Sequence, residues 1–270
     1  MNTESNKTDV KKVAEVWDGF AKKYGTDRRT STPDGYLVDL ELRVLNKYIK
    51  DVVTLLDIGC GKGYTSSELA KKRRIQVTGV DISTELIYYA NQLLDSQKRL
   101  LKGSVVFKNA NVLDTRFTQE YGAKSYDIIL TKRVIINILT WEEQKETIKK
   151  VCNLLKPGGL YLMIEATTQG HEKISQLRRK FNFSTTPVRW HNRYLDEEKL
   201  LPFLKEEFSS VYLKDFSSTY YMGSRLLQPM LLRPFGKEPD YDFFLNWIFS
   251  RLPSFGNHGM QKLFVCSKGD

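Results

Sequence analysis

A chain of 270 residues, 41% hydrophobic and 12% aromatic, can bury a core without disulfide or metal staples and is too apolar to stay disordered. It has no run of the roughly 18–20 apolar residues a membrane span needs, no secretory signal in the polar start MNTESNKTDVKK, and three cysteines (Cys60, Cys152, Cys266) that read as free thiols, so a cytoplasmic protein without a metal site is expected. The formal net charge of +10 fits either a lysine-rich solvated surface or an acidic acceptor.

Val13, Val16, Trp17, Phe20 and Tyr24 recur at helical spacing, which predicts an amphipathic helix over 10–24 closed by Gly25. A second helix is expected over 35–50 on Leu37, Leu40, Leu45 and Tyr48. At 52–59 the period changes, and VVTLLDIG is the continuous apolar run of a strand buried on both faces of a parallel sheet. The chain then alternates as helix 64–74, strand 76–81, helix 83–95, strands 104–108 and 125–131, helix 141–155 and strand 160–165. Such alternation predicts an α/β fold, a doubly wound and mostly parallel sheet with right-handed crossovers. Two helices (171–181, 195–207) and a strand (210–217) follow, and QKLFVCSK closes the chain as a last strand. The Pro- and aromatic-rich stretch from Tyr220 to Phe255 is too short to hold its own core. The whole of 1–270 is therefore expected to be one domain: a helical cap (1–50), a core (51–218), an insertion (219–258) forming a lid, and a final strand at 260–268.

The informative segment is the first strand-to-helix turn, Asp57-Ile58-Gly59-Cys60-Gly61-Lys62-Gly63. Ligands of open parallel sheets bind beyond the carboxyl ends of the strands, where glycines let the backbone approach and the next helix offers free N–H groups. The dinucleotide fingerprint is G-x-G-x-x-G, but here Gly63 stands one position early. Asp57 would repel a diphosphate and can pair with an amino group, so the turn favours a zwitterionic ligand over a dinucleotide. Asp81 ends the second strand about 20 residues beyond Gly61, the spacing at which a carboxylate reaches ribose hydroxyls. Alternatively it caps the helix that begins at Ser83.

Taken together, Asp57-x-Gly59-x-Gly61-x-Gly63, Asp81, Tyr126-Asp127-Ile128-Ile129-Leu130 and Leu154-Leu155-Lys156-Pro157-Gly158-Gly159 resemble the class I S-adenosylmethionine-dependent methyltransferases of small-molecule type, over roughly residues 10–165. The resemblance implies a seven-stranded sheet whose last strand is antiparallel, with S-adenosyl-L-methionine as cofactor and S-adenosyl-L-homocysteine as product. It implies that Asp57 and the backbone of Gly59, Cys60, Gly61 and Gly63 hold the methionine end, that Asp81 takes the ribose, and that Ile82, Asn111 and Val112 face the adenine. Thr131 and Lys132 would lie near the reactive methyl, and Tyr24 would close over the cofactor. Where the family usually has an acid, Asn111 offers an amide oxygen to the exocyclic amine.

Methyl transfer from a sulfonium asks mainly for alignment and dryness, and for a general base only when the acceptor is protonated. The candidate bases are Glu165, at a strand end, and His191, with His171 a weaker third. Arg133 is placed to reach the acceptor, and Arg178, Arg179, Arg189, Arg193 and Arg225 fall in the segments that cap the acceptor side in related enzymes. Guanidinium forks suit phosphate and carboxylate, so the expected acceptor is a small anion, such as a phosphorylated or carboxylated metabolite or a nucleotide-linked sugar. The alternatives are an RNA or protein methyltransferase, disfavoured by the lack of a nucleic-acid module, and a non-catalytic cofactor-binding homologue.

Overall fold

The structure is a computed structural model that describes residues 3–27, 32–122 and 125–270, with side chains described from Val10 onward. Seven strands, β1 (Thr54–Ile58), β2 (Gln76–Asp81), β3 (Ser104–Asn109), β4 (Tyr126–Lys132), β5 (Leu155–Ala166), β6 (Ser210–Lys214) and β7 (Gln261–Ser267), form one sheet in the order β3-β2-β1-β4-β5-β7-β6. All the pairings from β3 to β5 are parallel, and β7 runs antiparallel to both β5 and β6. From β1 the chain winds outward through β2 to β3, then crosses back to place β4 on the other side of β1. That reversal is the switch point at which an open sheet leaves a crevice.

Both faces of the sheet are covered. Because side chains alternate along a strand, the neighbours Leu55 and Leu56 enter different cores. Leu56, Ile58, Ile129, Tyr161 and Met163 pack under α6 (Trp141–Leu154) and α8 (Glu197–Glu207). Leu55, Val77, Ile128, Leu130 and Leu162 pack under α2 (Gly35–Leu45), α3 (Tyr64–Lys72) and α4 (Thr84–Gln97). The starts of these helices are written locally. Thr140 Oγ1 accepts from Glu143 N–H at 3.2 Å and donates to the Glu143 carboxylate, and Asp196 caps α8.

Several boundaries differ from expectation. The first helix, α1, spans Thr3–Tyr24, so it starts before the apolar stripe does. Helix α2 stops at Leu45, because Asn46 turns its side-chain amide back onto Leu42 O and the Arg73 guanidinium takes the carbonyls of Asn46 and Ile49. Between β3 and β4 lies a short helix, α5 (Phe117–Gly122), which the periodicity did not announce. Helix α7 spans Thr168–Lys180.

The insertion is helical, with α9 (Ser218–Met222), a π-helical turn (Gly223–Leu227), α10 (Gln228–Leu232), a 3-10 turn (Arg233–Phe235) and α11 (Phe244–Arg251). It docks on the outer face of α2, where Tyr220, Tyr221 and Phe249 meet Leu37 and Leu40. The buried Asp34, N-cap of α2, accepts from Leu37 N–H, the Tyr220 hydroxyl and the Arg225 guanidinium. Removing one partner of a buried ion pair leaves a desolvated charge, at a typical cost of about 3–5 kcal/mol. Arg225→Ala should therefore lose stability on that scale in urea unfolding, and Asp34→Ala/Arg225→Met should recover part of it. A loss below about 1 kcal/mol in the single variant would show the contact to be solvated like a surface pair.

Candidate functional site

A cavity of about 220 Å³ opens at the carboxyl ends of β1, β2 and β4. Its floor is the turn from β1 into α3. Gly59 and Cys60 both donate their N–H to Val80 O, at 2.7 and 3.0 Å, which presses the turn onto β2. The chain then takes left-handed backbone at Gly59, Gly61 and Gly63. At Gly61 (φ +56°) a β-carbon would meet nothing within 4 Å, because this residue fronts the cavity. At Gly63 (φ +76°) a β-carbon would fall 2.1 Å from the Phe107 ring. Gly61 thus leaves room for a ligand, whereas Gly63 leaves room for the protein's own core. Gly63 does not line the cavity.

Two carboxylates stand at the strand ends. Asp57 is buried, and burial lifts its carboxyl to about 6, against the pull of the Ser66 hydroxyl at 2.6 Å and the Lys132 ammonium. Asp81 is lifted to about 6 by the same desolvation, although Ser83 N–H (2.9 Å) and Gly61 N–H (2.8 Å) donate to it. The cap of α4 is Ser83, whose Oγ accepts from Leu86 N–H, so Asp81 is not the cap residue. Ile82, Asn111 and Val112 also line the cavity, with the Asn111 side-chain oxygen accepting from Leu113 N–H at 2.9 Å.

At the β4 end, Lys132 donates to Thr65 Oγ1 at 2.8 Å and pairs with Glu41 at 3.1 Å. The Arg133 guanidinium pairs with the same carboxylate. Glu41 is fully buried on α2, in step with Leu37 and Leu45. A carboxylate in an apolar stripe at i, i+4 and i+8 is the sequence signal for it. Also unforeseen as site residues are Val10, Val13 and Trp17 of α1, Gly35, Val38 and Asp39 of α2, and Lys62. The Lys62 ammonium donates to Thr26 O at 2.6 Å, and burial lowers it to about 8.

Several expected residues stand elsewhere. Tyr24 stacks on Phe20 outside the cavity lining, because α1 presents Trp17 and Val13 to the ligand space. Thr131 is buried in the sheet, hydrogen-bonded to the Tyr161 hydroxyl at 2.8 Å. Glu165 is buried behind the loop after β4 and accepts N–H groups from Val134 and Ile135, both at 2.9 Å, and from Ile136 at 3.4 Å. Burial lifts its carboxyl to about 7, yet its oxygens are engaged in holding the 3-10 turn Ile135–Asn137 and do not face the cavity. His191 is buried edge-on to Trp17 (5.9 Å) and Trp190 (5.5 Å). It touches a lining residue without lining the cavity, and burial followed by the Arg189 charge holds it below its usual pKa. The insertion contributes no residue to the lining, since its inner face is spent on α2.

The arginines are likewise dispersed. Arg225 is committed to Asp34, Arg178 to Ser184 O, Arg193 to Leu139 O, and Arg189 lies over the Phe20 ring. Among the described residues of the set that includes Arg179, only Arg133 lines the cavity. No group of three or more His, Cys, Asp or Glu is arranged to hold a metal ion among the described residues, and none of their helices is long and apolar enough to cross a membrane.

A family model described as a methyltransferase domain matches residues 49–207. Among curated relatives, 193 residues (70% of this chain) are 28% identical to a polyketide synthase-nonribosomal peptide synthetase, phmA, of Phaeosphaeria nodorum. Over 117 residues (43% of the chain) it is 23% identical to the O-methyltransferase resE of Aspergillus sclerotiorum. The chain spans 4% of the first relative's length and 41% of the second's. A SAM-dependent methyltransferase from Methanosarcina mazei shares the fold, with a TM-score of 0.54 at 21% identity, over 84% of this chain and 97% of that one.

Asp57 predicts a measurable conflict between site and stability. An acid whose folded pKa is raised stabilises the fold below its unfolded value and loses that contribution as pH rises through the folded value, here from about 4 to about 6. At pH 8 the buried charge costs on the order of 2–3 kcal/mol. Asp57→Asn should therefore raise the unliganded Tm at pH 8, and raise it much less at pH 4. An equal shift at both pH values would mean that packing, not charge, is being measured.

Proposed function

The chain belongs to the class I S-adenosylmethionine-dependent methyltransferases, and from that premise we propose that it transfers the methyl group to a small acceptor with an apolar body, which enters between α1, α2 and the loop after β4. The observation that carries this reading is the cavity lining. Trp17, Val13, Val38, Val134 and Ile138 surround the space that Gly61 leaves open, and Arg133, the one arginine there among the described residues, is paired with Glu41, which Lys132 shares.

The residues fit the cofactor. Two buried carboxylates with raised pKa values suit a ligand that brings a diol and cationic groups, and the Gly61 backbone lets it approach. Asp81 would take the ribose hydroxyls, Ile82, Asn111 and Val112 the adenine, and Asp57 with the turn backbone the methionine end. The cofactor, when bound, supplies an electrophilic methyl on a sulfonium. What the chain supplies is alignment and dryness: the α1 side chains roof the site, and the Glu165-held loop fixes Val134 and Asn137. Glu165 and His191 act in this reading on the wall, through the 3-10 turn and through Trp17, and an acceptor that is nucleophilic at neutral pH needs no base.

An anionic acceptor would have to win Arg133 from Glu41, or bind both lysine and arginine at that corner. The net charge of +10 is what speaks for it.

Asp81→Ala and Gly61→Val should each weaken S-adenosylmethionine and S-adenosylhomocysteine binding by about 100-fold in calorimetry while far-UV circular dichroism is kept. The first removes the diol partner and the second puts a branched side chain at positive φ into the ligand space. Unchanged affinity in both would remove this site from consideration.

The acceptor class is tested by turnover. Over a panel of neutral and phosphorylated or carboxylated acceptors, neutral apolar ones should be methylated, and Glu165→Gln should keep an unaltered pH–rate profile. Turnover of anions alone, with Arg133→Ala raising KM about tenfold at constant kcat, would replace the apolar reading with the anionic one. Cofactor binding without turnover of any acceptor would favour a non-catalytic homologue.

A further inference from the structure

The segment Ser218–Phe235 is helical throughout, running from α9 through the π-helical turn and α10 into the 3-10 turn, and Gly236 at φ +62° ends it. Its inner side is spent on the fold through Tyr220, Tyr221, Leu226 and Leu232. A surface helix ordinarily has one apolar stripe. This one has a second, because Leu227, Leu231 and Phe235, spaced i, i+4 and i+8, are 43%, 51% and 74% exposed. Phe235 alone shows on the order of 150 Å² of aromatic surface to water.

Cations border this stripe. Arg233 donates to Phe181 O at 3.3 Å and lies over the Phe183 ring at 5.5 Å, which brings the basic end of α7 alongside. Phe181 is 43% exposed there with Lys180 beside it in the chain, Arg233 and Lys237 flank Phe235 in the chain, and all three cations are exposed. The neighbouring acids Glu238 and Asp240 lie in the return loop, where Asp240 O accepts from Gln228 and Asn246 and draws that loop toward α11.

We infer that the Leu227–Leu231–Phe235 face, with its lysine and arginine border, is a docking surface for an anionic lipid bilayer. An apolar helix face flanked by cations is the arrangement of a helix lying in the plane of a membrane interface, with aromatic and leucine side chains in the acyl boundary and ammonium groups at the phosphates. A second copy of the chain fits less well, since a two-fold contact would set the same cations against each other. The surface is separate from the methyl-transfer site, so its test does not depend on the acceptor.

The full chain is sedimented with vesicles of equal parts phosphatidylcholine and phosphatidylglycerol, and with phosphatidylcholine alone. Binding to the anionic vesicles only, weakened by added salt, is expected. Leu231→Glu/Phe235→Glu should weaken it at least tenfold, and Arg233→Ala/Lys237→Ala about fivefold per cation removed. Both variants should keep wild-type S-adenosylhomocysteine affinity, which reports an intact fold. Protein left in the supernatant with anionic vesicles at low salt overturns the proposal. So does binding indifferent to Leu231→Glu/Phe235→Glu, which would assign it to the general positive charge. Self-association that this variant abolishes, without vesicle binding, would give the face to a second copy.

Discussion

Val80 O accepts two consecutive N–H groups, from Gly59 and Cys60, and much of the site depends on that contact. It holds the chain leaving β1 against β2, so the next residues must turn in left-handed backbone before α3 can begin. The turn makes Gly61 the floor of the cavity and points its N–H at Asp81, joining the end of β1 to the end of β2. A side chain at Gly59 would strike Val134, so the same turn also fixes where the loop after β4 can lie. One carbonyl therefore sets three walls.

The walls are electrostatically expensive. Asp57, Asp81 and Glu165 are all buried acids with raised pKa values, and Lys62 and Lys132 are cations that burial pushes the other way. Each is held by a specific partner, such as Ser66 for Asp57 and three backbone N–H groups for Glu165. Glu165 shows how such a group can mislead, because a buried carboxyl poised near 7 looks like a base until its oxygens are counted. The Lys132–Glu41–Arg133 cluster differs in kind. Two cations share one carboxylate, so that corner keeps a net positive charge until Asp57 is included.

The alternation of apolar runs and amphipathic helices was enough to place the strands, because a buried parallel strand and a half-buried helix differ in period. The glycine turn was legible for the same reason: positive φ and close approach leave a residue-type signature. What sequence could not show was direction. Tyr24 and Trp17 both belong to the apolar stripe of α1, and only packing decides that Trp17 reaches the cavity while Tyr24 lies on Phe20. Arginines scattered from 178 to 225 share a charge but not a destination, since Arg225 ends in a buried pair and Arg189 on an aromatic face. The short α5 lay in a segment whose composition was unremarkable in one dimension, whereas Glu41 showed only as a carboxylate within the apolar stripe of α2.

Helix α2 connects the two halves of the molecule. One side carries the Leu37 cluster and the Asp34–Arg225 pair that hold the insertion, another gives Gly35, Val38 and Asp39 to the cavity, and Glu41, in step with Leu37, reaches Lys132 and Arg133. A shift of the insertion by even a fraction of a helical turn must strain either that buried ion pair or the Leu37 packing, because close-packed interiors do not deform smoothly. The strain would pass first to the Glu41 carboxylate, which stands one turn beyond Leu37 on the same helix. The seat of the insertion and the wall of the cavity are thus parts of one eleven-residue element.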